Sequence, residues 1–526
     1  MHKTSDNVKI VKNTLTISTF NVLGLVSGVG ADMILAARFG LSREMDALFI
    51  ALTLPQLLFA ILFSAGNAVL VPAFAHARAA RGRESAWGLF NATVTLALLL
   101  FALLSALGVL ASPCILSAIA PGLAVPTRAL AIRLSRIVFW MILPAGVIQV
   151  MGAMLNSEQR FAAPAALNFV QYSVIIACAW LGVPRWGITT VAVGYVVAAG
   201  LQLLMLGFSL WRIGGRYHPT LNLQDAELRT IGRLLWPTLV QGGISQGNVL
   251  FERAFASFLP PGSITALGYA RRVLRAVSDI FLDSVSTAAL PRLSALSAAS
   301  DKPGIEDAIA FSVKLSVFLP LPVVTLLTFL NVPLIRVAFQ RGAFDASATQ
   351  ITAGLMALYV LGVLPAAAAQ MVILAFYAMR DTLTPLYLRV LTLAVNLVFD
   401  AALIRVLGPY GLALSLLLAR LVGLVASYWA LDRKMDVSGL ELKSFFLRVG
   451  LAAMSVAAVA LGARWLLEGL PMPRLQQLIA LLLACGLGLL AYGVVAFMAG
   501  IEEVGWVVTG MKRWLVAHRA KPSQTP

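Results

Sequence analysis

Apolar residues run along this chain in long continuous blocks rather than in alternation. The blocks lie near 14–37, 47–74, 87–112, 130–155, 164–183, 187–210, 234–259, 264–290, 309–332, 350–376, 383–405, 410–431, 445–467 and 474–499. A hydrocarbon core of about 30 Å is crossed by about 20 apolar residues in helical form. Backbone N–H and C=O groups in lipid must be satisfied within the segment, so the predicted spans are α-helices. Barrel strands would alternate at every second residue, and these blocks do not. The expectation is an all-α polytopic membrane protein with about fourteen transmembrane helices. Connections are short and leave no room for a soluble domain. The longest, Trp211 to Arg233, is polar and basic. Beyond Ile501, Val504, Val507, Val508, Met511 and Leu515 share one side of a predicted amphipathic helix, with Lys512, Arg513 and Arg519 elsewhere.

Composition agrees with a membrane-embedded chain: 60% of residues are hydrophobic and 12% charged, against about 25% charged in soluble domains. The net charge of +17 would suggest nucleic acid in a soluble protein. Here positive-inside bias accounts for it, and no nucleic-acid partner is expected. One set of alternate loops carries residues such as Lys3, Lys9, Arg78, Arg81, Arg83, Arg160, Arg212, Arg216, Arg233, Lys434 and Lys512. The other set, including Arg38, Arg128, Arg185, Arg341 and Arg474, is less than half as large. Both termini are therefore expected in the cytoplasm, which requires an even number of spans. The polar, basic start from Met1 to Lys12, followed by an apolar block too long for a signal-peptide core, predicts no cleaved leader. Cys114, Cys178 and Cys485 have no metal-ligand spacing and read as packing residues.

No Walker motif, HExxH, GxSxG or CxxC falls on a loop where it could act, and there are only four histidines. Neither ATP hydrolysis nor covalent catalysis is expected. No external loop is long enough for a glycan ligase or polymerase. The chain reads as a secondary transporter rather than an enzyme, with no cofactor beyond Na⁺ or H⁺ as a coupling ion.

Charge inside the membrane narrows the chemistry. An Arg or Asp at mid-bilayer costs about 2.5–3.5 kcal/mol on insertion scales. On the eighth span Arg272, Arg275, Asp279 and Asp283 fall within a stripe about 80° wide at 100° per residue, with Arg271 at its edge. Facing lipid, these five charges would cost over ~10 kcal/mol. The stripe is expected to line a wet cavity, where arginine forks suit a diphosphate. Two other readings compete. Arg275–Asp279 and Asp279–Asp283 are i,i+4 and could satisfy one another, and Arg271 and Arg272 could snorkel to the outer surface.

Other polar positions are less decisive. Glu252 and Arg253 sit near the outer end of the seventh span, as an ion pair, a gate contact or a substrate contact. The first span carries Asn21 and Asp32, with Gly24, Gly28 and Gly30 between them, which permits either kinking or close helix packing. On the eleventh span Asn396 and Asp400, four apart, could supply oxygens to Na⁺ or a proton relay. They could equally bond a neighbouring helix, for instance through Arg389, Arg405 or Arg420.

Several stretches resemble the MurJ/MviN family of the multidrug/oligosaccharidyl-lipid/polysaccharide (MOP) exporter superfamily. They are ARFGLSREMDALFIALTLP (37–55), LNSEQRFAAP (155–164), ASFLPPGSITALGYARRV (256–273), LPRLS (290–294), FQRGAFD (339–345) and AFYAMRDTLTP (375–385). The resemblance runs from about residue 14 to 430. It implies two six-helix lobes, 1–220 and 221–435, around a V-shaped cavity, two further helices over 436–500 beside a polyprenyl groove, and a cytoplasmic tail over 501–526. It also implies a bacterial inner-membrane flippase that moves an undecaprenyl-diphosphate-linked glycan to the periplasmic leaflet by alternating access. The partners would be that polyprenyl-diphosphate glycan and the membrane lipids. Arg272 matches a family arginine, and Asn396 with Asp400 resembles a sodium-binding pair of some members, without a third acid on the seventh span. With Asp46 from the first motif added, the candidate substrate contacts are Arg271, Arg272, Arg275, Asp279, Asn21, Asp32, Asp46, Glu252 and Arg253.

The chain departs from the family pattern in its charges. Asn21 and Ala31 stand at basic positions of the first span, and Phe59 and Ala60 replace a basic pair on the second. Arg271 and Arg275 stand where acids are usual. Positive charge has moved from the first two helices to the eighth. Lipid II, an exopolysaccharide or O-unit repeat, and a small-molecule or drug export role within the same superfamily therefore stand as competing cargoes.

Overall fold

The computed structural model describes residues 2–221, 226–299, 302–435, 442–469, 473–501 and 503–505. Among these residues there are helices and no strands. Most residues of the predicted spans are helical, with breaks such as those at 257–259 and 319–320. Among the described residues ten stretches, rather than fourteen, are long and apolar enough to cross a membrane by length and composition. Side chains beyond residue 505, and that of Asp283, lie outside the described residues, so most of the predicted amphipathic tail does too.

The chain divides into two compact units, residues 1–265 with 341–344, and residues 266–340 with 345–526. The helices of the first are α1 (His2–Phe39), α2 (Arg43–Ile119), α3 (Val125–Val138), α4 (Ile142–Ser157), α5 (Ala162–Ala165), α6 (Leu167–Leu181), α7 (Val183–Trp186), α8 (Thr189–Arg212) and α9 (Ala226–Ala256). Then follow α10 (Ser263–Ala298), whose first turn belongs to the first unit, α11 (Lys302–Phe318), α12 (Leu321–Phe329), α13 (Asn331–Phe339), α14 (Ala346–Leu361), α15 (Val363–Ala378), α16 (Leu383–Leu407), α17 (Pro409–Asp432), α18 (Leu442–Gly469) and α19 (Arg474–Met498).

Boundaries differ from expectation in two places. The second and third predicted spans form one 77-residue helix, interrupted only at Gly82, where φ is +85° and the helical path breaks. The connection predicted from Trp211 to Arg233 is shorter, because α9 already begins at Ala226. Its Glu227 sits in the first turn, where a carboxylate favours the helix dipole.

In the first unit α2 packs against α3, α4 and α9, and α1 packs against α6. The glycines of α1 are packing residues. A Cβ on Gly24 would lie 3.0 Å from Asn168 Cβ, and one on Gly28 would lie 3.0 Å from the Tyr172 ring. Small residues allow this close approach where lipid supplies no hydrophobic drive. The α2–α4 contact is tighter still: a Cβ on Gly146 would lie 1.8 Å from the ring of Phe101, itself buried.

In the second unit α16 and α17 form an antiparallel pair, and α18 and α19 another that packs on α12. On α19 Leu481, Ala484, Gly488, Tyr492 and Ala496 are buried, while Leu482, Leu483, Leu487, Leu490 and Phe497 are exposed. Small residues inside and large apolar residues outside is the pattern of a helix facing lipid. Tyr492 bonds its hydroxyl to the Phe318 carbonyl at 2.9 Å, so the buried phenol is satisfied.

Candidate functional site

The charged stripe occupies α10. Within the second unit Arg271 and Arg272 are half-buried, whereas Arg275 and Asp279 are exposed. The guanidinium of Arg271 lies 5.7 Å from the ring centroid of Tyr359, itself buried on α14. An arginine over a tyrosine face is held by the ring quadrupole. The stripe is thus graded along the helix: Arg271 is held against Tyr359, Arg272 is half-buried, and Arg275 and Asp279 are exposed. Arg275 makes no ion pair among the described residues, so the i,i+4 pairing with Asp279 is not used.

The start of α10 is fixed by Asp46. Its carboxylate accepts from Gly262 N at 2.5 Å, Thr265 N at 2.8 Å and Thr265 Oγ1 at 2.6 Å. Gly262 has φ of +92°, a left-handed turn that glycine alone adopts without strain. A side chain there would also strike the Leu41 carbonyl, 2.5 Å from its Cβ. A carboxylate receiving amides in a first helical turn works as a cap from outside the helix. Asp46, expected among substrate contacts, is therefore spent on the loop that begins α10.

Arg253 is committed in the same region. It is buried, donates from Nη1 to the Ile264 carbonyl at 3.0 Å, and stands 5.5 Å from the Phe49 ring centroid. Glu252 beside it is also buried. Ser257 Oγ accepts from Gly122 N at 2.9 Å and ties the following turn to the α2–α3 connection. Asn21 and Asp32 are not brought together: Asn21 is exposed on α1, while Asp32 is buried on the side of Gly24 and Gly28.

On α16 Asn396 and Asp400 do meet. Asn396 donates its Nδ2 to Asp400 Oδ2 at 2.6 Å, and the Ser415 hydroxyl of α17 bonds Asp400 Oδ1. All three are buried, and the Asn396 Oδ1 carbonyl has no hydrogen-bond partner. An orphaned amide oxygen beside a buried carboxylate and a hydroxyl is an oxygen-only donor set of the kind hard cations prefer. Among the described residues no group of three or more His, Cys, Asp or Glu could hold a metal. Ser415 and Tyr359 were invisible in sequence as partners, since neither lies near its contact along the chain.

A family model described as the lipid II flippase MurJ matches residues 35–484. The chain belongs to this family. It is 27% identical over 526 residues to a probable lipid II flippase MurJ of Rhizobium tropici, covering 96% of this chain and 97% of that one. It is 24% identical over 418 residues to a lipid II flippase MurJ of Burkholderia cenocepacia, covering 78% and 81%. Among solved structures, a lipid II flippase MurJ in an inward closed conformation superposes with a TM-score of 0.74 at 23% identity, covering 93% of this chain and 98% of that one. An inward-facing MATE-family multidrug transporter of the MOP superfamily gives 0.66 at 16% identity, covering 82% and 99%. At such identities the structures show a shared fold. The sequence family, not the MATE likeness, separates the competing cargoes, and nothing in it favours an exopolysaccharide repeat or drug export.

Proposed function

We propose that this chain is a lipid II flippase of the bacterial inner membrane, with both termini in the cytoplasm. The observation that carries the reading is the family match over residues 35–484. Chemistry supports it. Arg272 and Arg275 on α10 supply fork-shaped donors for a diphosphate, with Arg271 braced by Tyr359 beside them. Asp279 completes the stripe. The polyprenyl tail stays in lipid while the headgroup crosses by alternating access, and no bond is made or broken.

Asn396, Asp400 and Ser415 are the candidate seat of a coupling cation, Na⁺ or H⁺. A cation there would offset the buried carboxylate charge and link its own gradient to the conformational cycle. Glu252, Asp32 and Asn21 stay in the reading as secondary contacts, and Arg253 as a support of the α10 entry.

The test is rescue of growth when a resident lipid II flippase is depleted. Production of this chain restores growth if the proposal holds. Failure to rescue, with the protein present in the membrane at normal level, sinks it.

A further inference from the structure

The segment after α8 makes a cavity that the flippase reading does not use. It has a volume of about 420 Å³ and is lined by Trp211, Arg212, Gly214, Gly215 and Arg216. The two glycines create the space. Gly214 has φ of +82°, and a Cβ on Gly215 would lie 2.3 Å from the Trp87 ring, so only glycine lets the chain turn back against that indole.

The lining is cationic, with no acid in it. Arg212 is exposed, its guanidinium stacked 4.8 Å above the Phe208 ring, and its charge complements the carbonyl end of α8. Helix-end compensation accounts for that one arginine. It does not account for Arg216, four residues further on and beyond the helix, exposed and without an ion pair or hydrogen bond among the described residues. A third guanidinium, Arg83, reaches in from α2. Its Nη2 bonds the Ile213 carbonyl and lies 3.6 Å from where a Cβ on Gly214 would be.

The setting is the edge of the bilayer. Trp211 is 66% exposed at the last turn of an apolar span, and Tyr217 is 42% exposed just beyond it. Exposed tryptophan and tyrosine at helix ends sit at headgroup depth. Arg212 and Arg216 belong to the loop set that charge bias puts on the cytoplasmic face, where anionic lipids attract basic residues.

We infer that this cavity binds the phosphodiester headgroup of an anionic glycerophospholipid of the cytoplasmic leaflet, with Arg212 and Arg216 on the phosphate and Trp211 against the acyl-chain boundary. The ligand class, a phosphate anion, could also come from solution. The exposed aromatic wall selects the lipid.

The full-length protein is tested by native mass spectrometry with phosphatidylglycerol or phosphatidylcholine of identical acyl chains. At about 1 kcal/mol per basic residue near the surface, two arginines set affinity by roughly thirtyfold. The wild type should retain phosphatidylglycerol over phosphatidylcholine. Arg212→Gln/Arg216→Gln should lose the most tightly held copy with an unchanged melting temperature in lipid-free detergent. Arg160→Gln/Arg233→Gln, which removes the same charge from exposed positions of the same loop set, should keep it. Retention by the first variant, or equal loss in the second, overturns the site. Equal displacement of the bound lipid by micromolar glycerol 3-phosphate overturns the lipid assignment.

Discussion

Replacing Asp46 tests how α10 is held in place. The carboxylate receives two buried backbone amides and one hydroxyl, from Gly262 and Thr265. In Asp46→Ala both amides lose their acceptor, at about 1–3 kcal/mol each, for a total of roughly 2–6 kcal/mol. At about 2 °C per kcal/mol for a long chain, the apparent Tm in detergent should fall by roughly 4–12 °C. Asp46→Asn keeps one acceptor but turns an NH₂ towards a donor, so its loss should be intermediate. The assay is a thermal scan of purified variants beside a transport measurement. Loss of transport in Asp46→Ala with an unchanged Tm would refute the capping role and return Asp46 to the substrate contacts.

Further outcomes follow from the same reasoning. Gly146→Leu drives a side chain into the Phe101 ring and should destabilise the first unit by at least about 1–3 kcal/mol, read as lost expression or lowered Tm; a neutral result would contradict the α2–α4 packing. Arg272→Ala and Arg275→Ala should each impair rescue while inserting normally, and full activity in the double variant would remove the diphosphate contact. Asp381, between α15 and α16, bonds Lys434, Thr384 Oγ1 and the Thr384 amide, which hold its carboxyl well below the usual carboxylate range. A depressed folded-state pKa stabilises above the unfolded value of about 3.9 and is lost as pH falls through and below it. Apparent Tm should therefore drop more steeply below about pH 5 in the wild type than in Asp381→Asn, and parallel curves would contradict the ion pair. Asp400→Asn should abolish any Na⁺ dependence of transport in proteoliposomes, and retained dependence would place the coupling ion elsewhere.

The helices were legible because length and apolarity are local properties. The α10 stripe was legible for the same reason, since burying charge is costly wherever the partners lie. Its grading was not: the anchor of Arg271 is Tyr359, a residue far along the chain on another helix. The bonds of Asp46 to the start of α10 were not legible, because its partners lie 216 and 219 residues away. The only local sign of that cap is Gly262-Ser263 just before a helical block. The Asn396–Asp400 pair was visible from i,i+4 spacing, whereas Ser415, which completes it, comes from the next helix of the hairpin. The first-span glycines allowed kinking or packing on sequence alone, and Asn168 and Tyr172 decide for packing.

The most direct measurement follows lipid II itself across the membrane. In cells depleted of their resident flippase and producing this chain, a lipid-II-cleaving enzyme confined to the periplasm should recover its product at the rate the chain restores. No recovery of cleaved lipid II, with the chain inserted at normal level, would contradict the proposed function.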